Sequence, residues 1–254
     1  MRPLGVVGLG LWAEGYPNVA AWRDGKADPA VDKPPCKLVD VRLRRGSSRF
    51  ANMLGEVVEQ AAREAGIDVS KVPTVYGSSL GEIETMVALL RMLVEDDGKL
   101  SPNRFKHSVH NAASGLVSIG TSNTTFSTAI AGGPRSFEAS LLEAWAFLEE
   151  NGGALILAVA DDRAPEPLDR LDPHGALAVG FALSADPPSD AVRIGSLRWG
   201  EPAPEPEPAL PEPLASNCAG PGLALLNAVL ARRAGPVRIS PRVGPTALVD
   251  VLVP

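Results

Sequence analysis

The strongest candidate for chemistry in this chain is the turn that leads into an amphipathic helix after residue 130. An uncharged, β-branched run from Thr124 to Ile130 is followed by a Gly-Gly-Pro turn, then by Arg135 and Ser136, and then by the helix. Several α/β enzyme families hold a nucleophile at the start of such a helix. Here the turn offers a serine and no cysteine.

Two interpretations of Ser136 are open. A hydroxyl at the start of a helix is a common N-cap, because it accepts a hydrogen bond from an otherwise unpaired backbone N–H. The alternative is a nucleophilic serine in a small acyl hydrolase or acyltransferase, with His110 as the only plausible base. The G-x-S-x-G elbow is absent, so we expect a cap. Arg135 beside it could bind an anion at the helix N-terminus or form a surface salt bridge, and we favour the salt bridge.

The sequence matches the motifs of metal sites and of dinucleotide-binding loops only in part. His107 and His110 are three residues apart, but no third ligand lies nearby, so we expect no metal. Gly8, Gly10 and Gly15 do not have the G-x-G-x-x-G spacing of a dinucleotide loop. These glycines more simply allow close backbone packing at a strand. We expect no cofactor.

Composition narrows the function class. The 254 residues carry a net charge of −6, which argues against a nucleic-acid surface. The two cysteines, Cys36 and Cys218, match no zinc or redox spacing, so a reducing compartment is expected. The apolar run near the N-terminus is too short to span a bilayer. We therefore expect a cytoplasmic protein with no membrane span.

Strands and helices are expected to alternate along the chain. Apolar runs predict strands over residues 4–11, 72–78, 124–130, 154–160, 176–184, 192–199, 237–239 and 247–252. Apolar periodicity and helix-end signals predict helices over residues 17–22, 49–65, 81–95, 111–120 and 223–232, and a further amphipathic helix after the Gly-Gly-Pro turn. This alternation is typical of an α/β layered sheet. The acidic, proline-rich segment 201–213 is expected to be an extended linker.

As a whole, the first 185 residues resemble the N-terminal half of a β-ketoacyl synthase, a family of the thiolase fold. The resemblance runs through GVVGLGLWAEGYPNVAAWRDGKAD, RFANMLGEVVEQAAREAGIDVSKVPTVYGSSLGEI, TTFSTAIAGGPRSFEASLLEAWAFLEENGGALILAVAD and LDRLDPHGALAVGFALSA. It implies an α-β-α-β-α layered fold with a complete first half, residues 1–185, and a strongly shortened second half, residues 186–254. The wording SPNRFKHSVHNAASG is similar to that of short chain-length-factor-like partners of aryl polyene ketosynthases.

The departures from the family decide the expected activity. The family's condensing chemistry needs a cysteine at the helix N-terminus and two histidines from its C-terminal half. Aligned on Ser-Thr-Ala, Ile130 stands where that cysteine belongs, and aligned on the helix end, Arg135 or Ser136 does. His174, in what looks like a solvated loop, matches neither family histidine. The chain is therefore expected to be non-catalytic on its own.

The resemblance also implies a partner. In the thiolase fold the strand before the nucleophile pairs with its copy across a two-fold axis. Here that strand would be Thr124, Thr125, Phe126, Ser127, Thr128, Ala129 and Ile130, an uncharged edge that another chain must cover. We expect a catalytic ketosynthase as the partner, with a homodimer as the alternative and an acyl carrier protein reached through the complex. Phe137, Leu141 and Trp145 are expected to line an acyl cavity.

Overall fold

One continuous mixed sheet organises the molecule. In the computed structural model, residues 2–95, 100–171, 173–200 and 209–254 are described. Within these ranges the sheet has eight strands in the order β3-β2-β4-β5-β1-β6-β8-β7. The strands are β1 (Leu4–Ala13), β2 (Thr74–Gly77), β3 (Ser127–Ile130), β4 (Ala154–Asp161), β5 (Leu177–Ser184), β6 (Arg193–Trp199), β7 (Gly235–Arg238) and β8 (Ala247–Leu252).

Helices cover both faces of this sheet, so the described residues form three layers instead of the five, α-β-α-β-α, that the resemblance implies. The helices in the described ranges are α1 (Val19–Arg23), α2 (Val41–Arg44), α3 (Arg49–Ala65), α4 (Ile83–Glu95), α5 (Pro102–Phe105), α6 (Ala112–Thr121), α7 (Ser136–Asn151), α8 (Glu212–Ala215) and α9 (Gly220–Leu230). Side chains of β4 alternate between two cores, with Leu155 and Leu157 on the face covered by α7 and α9, and Ile156 and Ala158 on the face covered by α3.

Parallel and antiparallel pairing divide the sheet. Strands β3, β2 and β4 run parallel, so their carboxyl ends finish at one edge of the sheet. The pairs from β4 through β5, β1, β6 and β8 to β7 are antiparallel. The three strands that follow residue 185 extend the same sheet. The division at residue 185 stays a prediction, and the first eight residues of the expected linker, 201–208, lie outside the described residues.

Local signals set the bounds of α3 as predicted. The Ser48 hydroxyl accepts a hydrogen bond from Ala51 N at 2.9 Å, which caps the first turn. Gly66 ends the helix in the left-handed region, with φ of 66°. Strand β6 pairs only with Leu4 and Gly5 of β1. Farther along the same edge of β1, two side chains of α3 accept hydrogen bonds from its backbone. Gln60 Oε1 accepts from Leu11 N at 3.1 Å, and a carboxyl oxygen of Glu64 accepts from Leu9 N at 2.6 Å.

Glycines bring α3 against the sheet, as the sequence indicates. A Cβ added at Gly8 would lie 2.2 Å from Ala61 O, and one added at Gly10 would lie 2.3 Å from Val57 O. Both distances are too short for any side chain. The backbone of α3 therefore lies directly on β1, and these glycines serve packing.

Two sequence predictions differ from the structure in this region of the chain. Strand β3 begins at Ser127 instead of residue 124, because the Asn123 carboxamide oxygen accepts hydrogen bonds from Thr125 N at 2.8 Å and Thr125 Oγ1 at 2.7 Å and holds the preceding residues in a turn. The apolar face expected for α4 is only partly buried, since Leu90 is 53% and Val94 86% exposed.

Replacing Gly10 with alanine should destabilise the chain by about 1–3 kcal/mol, because the new methyl group collides with the backbone of α3. Urea unfolding at neutral pH measures the change. Gly115→Ala is the matched control: nothing lies within 4 Å of its added Cβ in α6, so a small gain in helix stability is expected. Equal stability of the Gly10→Ala variant and the parent would contradict the close approach.

Candidate functional site

The carboxyl ends of β3, β2 and β4 bring three chain segments together. Ile130 ends β3, Ser78 follows β2, and Asp161 ends β4. The Ser78 N–H donates to the Ile130 carbonyl at 3.1 Å, and the Ser78 hydroxyl donates to the Asp161 carboxyl. Ligands and reacting groups of open α/β sheets usually lie at this end of the strands. It is therefore the candidate site of this chain.

Asp161 is the buried centre of the site. Its side chain is 1% exposed and accepts hydrogen bonds from Ser79 N and Leu80 N, each at 3.1 Å, besides the Ser78 hydroxyl. Burial raises the pKa of the Asp161 carboxyl, and hydrogen bonds from Ser78, Leu80 and the Cys218 thiol oppose that shift. The carboxyl thus fixes the loop that follows β2.

The C-terminal segment reaches the same group. Asn217 Nδ2 donates to the Asp161 carbonyl at 3.0 Å and to the Gly175 carbonyl at 2.8 Å, and lies 3.1 Å from His174 Nδ1. His174 is 7% exposed, so the expectation of a solvated loop histidine is wrong. Asn217 holds it in place.

Ser136 does not cap the helix. Residue Arg135 occupies the N-cap position of α7, and Ser136 is the first helical residue, with 0% exposure. Its hydroxyl donates to the Gly133 carbonyl at 2.7 Å and accepts from Gly132 N at 3.1 Å. A 3₁₀ turn over Gly133–Arg135 precedes the helix and shifts the serine one position inward, which is why the cap prediction fails.

Arg135 forms the salt bridge that the sequence favours. Its guanidinium pairs with Glu138 at 2.6 Å and donates to the Pro245 carbonyl at 2.9 Å. Glu138 also accepts from Trp199 Nε1 at 3.1 Å. These contacts connect the turn before α7 to Trp199 and Pro245 in the second half of the chain. The Arg135 guanidinium therefore binds groups of the protein itself.

His110, the candidate base, is not joined to Ser136. His110 Nε2 lies 3.4 Å from the Ser78 carbonyl. Among the described residues, the Ser136 hydroxyl bonds only Gly132 and Gly133, so no serine–histidine pair forms. In the same ranges no three metal-ligating side chains come together.

Phe137, Leu141 and Trp145 lie in the core between α7 and the sheet, each at most 1% exposed. The Trp145 indole N–H donates to the Arg2 carbonyl at 3.0 Å. Two cavities of about 330 and 320 Å³ are lined by other residues. A role for these three side chains as acyl-cavity lining therefore stays a prediction.

A second buried carboxyl lies nearby. Glu82, just before α4, is 6% exposed and accepts a hydrogen bond from the Ser48 hydroxyl at 2.9 Å. Burial raises the pKa of Glu82 to about 7, while hydrogen bonds from Ser48 and Thr85 lower it. Sequence reasoning missed Glu82 and the Asp161 cluster. The Asp-Asp pair at the end of an apolar strand, residues 161–162, is the signal that could have found the latter.

Comparison with known proteins places these features in a family. The model of the β-ketoacyl synthase N-terminal domain matches residues 19–207. No curated protein matches the chain in sequence. In the described residues, no helix is long and apolar enough to cross a membrane.

Solved structures share the fold. The ketosynthase ApeO in complex with its chain length factor ApeC from Xenorhabdus doucetiae matches with a TM-score of 0.74 at 20% identity, over 98% of this chain and 100% of the matched chain. The ishigamide ketosynthase/chain length factor matches with a TM-score of 0.69 at 14% identity, over 99% of both chains. A type II polyketide ketosynthase with its acyl carrier protein, AntDE:AntF, matches with a TM-score of 0.63 at 15% identity, over 78% of this chain and 70% of the matched one. The thiolase-like α/β fold expected from the sequence is confirmed.

Replacing Glu82 with glutamine should stabilise the chain by about 3 kcal/mol at pH 8 and change little below pH 4.5. The folded state holds the Glu82 proton up to about pH 7, whereas the unfolded chain releases it near its ordinary value. Stability of the parent therefore falls as the pH rises between those values. Urea unfolding across this range measures the difference, and Glu150→Gln, on the exposed end of α7, is the control. A constant difference between parent and Glu82→Gln would contradict the argument.

Proposed function

This chain belongs to the β-ketoacyl synthase family, of which it carries the N-terminal domain, and we propose that it is a non-catalytic, chain-length-factor-like subunit. It pairs with an active β-ketoacyl synthase in fatty-acid or polyketide biosynthesis of the aryl polyene type. The observation that carries the proposal is Ile130, an aliphatic side chain at the end of β3 where the family's resemblance expects a cysteine.

Condensation through an acyl-enzyme requires a nucleophile at this turn. The isoleucine side chain has no atom that can attack a thioester. The Ser136 hydroxyl, at the start of α7, is buried and donates to the Gly133 carbonyl. Cys218 is 4% exposed, and its thiol bonds Asp161 from the segment before α9. The catalytic cysteine is therefore expected on another chain.

The similar structures support a partnership without assigning it. Two of them hold a ketosynthase together with a chain length factor, and this chain spans the matched chains from end to end, at 100% and 99% of their length. At 20% and 14% identity the likeness shows the fold. The role comes from combining that fold with Ile130.

Strand β3 supplies the surface for pairing. It lies at one end of the strand order, and no charged residue occurs between Thr124 and Ile130. Thr74 N bonds the Phe126 carbonyl and Ser78 N bonds the Ile130 carbonyl, so backbone groups at even positions face β2. By alternation, the N–H and C=O groups of Ser127 and Ala129 face the open edge. An edge without charge or proline invites another strand.

A partner would also cover apolar side chains near this end of the molecule. Helices α4 and α5 expose Met86 at 40%, Leu90 at 53%, Val94 at 86% and Phe105 at 58%. Exposed apolar surface of this kind marks an interaction site. These side chains are exposed and available to a second subunit, whereas the core residues of α7 are buried. The acyl carrier protein is expected to deliver the chain through the complex.

The alternative of a serine acyl hydrolase or acyltransferase has no supporting geometry. Ser136 is buried and its hydroxyl hydrogen bonds stay within its own turn, while His110 approaches Ser78. A nucleophile needs a base within hydrogen-bond reach.

Co-expression with a candidate ketosynthase of the same genome should yield a complex that co-purifies, and Ala129→Pro should abolish it. Proline at this position removes the N–H that faces the open edge and leaves the hydrogen bonds to β2 in place. The measurement is the mass of the eluted species by light scattering, with circular dichroism to check the fold.

Ala129→Thr, which keeps the N–H, is the matched control and should retain the complex. If every candidate ketosynthase elutes separately from the parent chain, the heterodimer is refuted. Self-association of the parent that Ala129→Pro also abolishes would select the homodimer.

The isolated chain should not react with a fluorophosphonate probe or accept an acyl group from a thioester, and Ser136→Ala should leave this result unchanged. Intact-mass spectrometry detects either adduct. An adduct on the parent that is lost in Ser136→Ala would establish the hydrolase alternative and overturn the non-catalytic role.

A further inference from the structure

A cavity lies beside β7, the strand at the opposite edge of the sheet from β3. The cavity of about 330 Å³ lies between the first residues of α9 and the edge strand β7. Its apolar lining includes Leu210, Pro221, Ala224 and Val237. This volume lies within the range of small-molecule sites. Ile130, one of the candidate nucleophile-equivalent positions, ends β3 at the other end of the strand order.

One wall of the cavity is cationic. Arg233, Arg238 and Arg242 line it, in a chain whose net charge is −6. The first two residues of α9, Gly220 and Pro221, line the cavity as well, so the positive end of the helix dipole also lies at its lining. An apolar lining with a positive wall matches a ligand that has an apolar body and an anionic group.

Arg238 is a lining cation that has no carboxylate partner among the described residues. It is half-buried, and its guanidinium donates through Nε to the Ser240 hydroxyl at 3.3 Å and through Nη2 to the Arg242 carbonyl at 3.0 Å. Both acceptors are neutral. Within the described ranges no carboxylate pairs with it, whereas Arg242 pairs with Glu212 at 3.2 Å and Arg135 with Glu138 at 2.6 Å.

The position of this guanidinium is fixed before any ligand arrives. Ser240 is 2% exposed, and its hydroxyl oxygen also accepts from Ala247 N at 3.0 Å, which anchors it to β8. A partly buried charge without a counter-ion is unfavourable, and a ligand anion relieves that cost with a charge-assisted hydrogen bond. Preorganisation reduces the entropy lost on binding.

We propose that this cavity binds a small amphipathic anion, an apolar chain with one terminal carboxylate or phosphate, whose anionic group pairs with Arg238. The apolar chain contacts Leu210, Ala224 and Val237. The site is separate from the β3 surface, and the proposal does not depend on the proposed partnership.

Calorimetric titration of the full chain, alone and below the micelle concentration of each ligand, tests this. Octanoate and octyl phosphate compare the two anionic groups, and octanol supplies the same chain without charge. We expect one saturable site for at least one of the two anions and at least tenfold weaker binding of octanol. Arg238→Ala should weaken binding of that anion at least tenfold, and raised salt should weaken it in the parent.

Two variants keep the result interpretable. Arg45→Ala removes an exposed arginine that does not line the cavity and should bind as the parent does. Ala224→Phe should fill the apolar part and reduce binding of all three ligands. Absence of binding to the parent, equal affinity for octanol and the anions, or unchanged affinity in a folded Arg238→Ala variant would each overturn the proposal. These outcomes leave the pairing experiment on β3 unaffected.

Discussion

The carboxyl group of Asp161 holds the end of the sheet at which three parallel strands finish. A buried carboxyl is unfavourable unless donors surround it, and this one receives a hydroxyl, two backbone N–H groups and a thiol. Ser78 passes the connection on to Ile130 through its own N–H. The Asp161 carbonyl meanwhile binds Asn217, so the C-terminal segment is fastened to the same residue. The shape of the candidate site follows from this one group.

Features encoded within a few residues were predictable. The ends of α3 follow from Ser48 and Gly66 alone, and the closeness of α3 to β1 follows from Gly8 and Gly10 in an apolar run. In each case a short-range chemical preference and the final structure agree.

Features that join distant segments were not predictable. His174 stands in a sequence typical of a loop, yet Asn217, 43 residues later, buries it. The apolar periodicity of the sequence does not predict a contact between residues so far apart in the chain. The prediction that Ser136 caps α7 failed for a different reason. A hydroxyl residue is a common N-cap, but a 3₁₀ turn before α7 moved the helix start by one position. The strand predicted to begin at residue 124 lost three residues to a turn made by the side chain of Asn123.

The two end strands of the sheet, β3 and β7, differ in how they can pair with a strand of another chain. In β7, Ile239 N bonds Ala247 O, so odd-numbered N–H groups face β8 and position 236 faces outward. Proline occupies that position and has no hydrogen to offer another strand. Of these two end strands in the described sheet, β3 has no proline among its outward-facing positions, and one added strand occupies that edge. Association through the β3 edge alone therefore closes into a pair of chains and does not extend into a fibre.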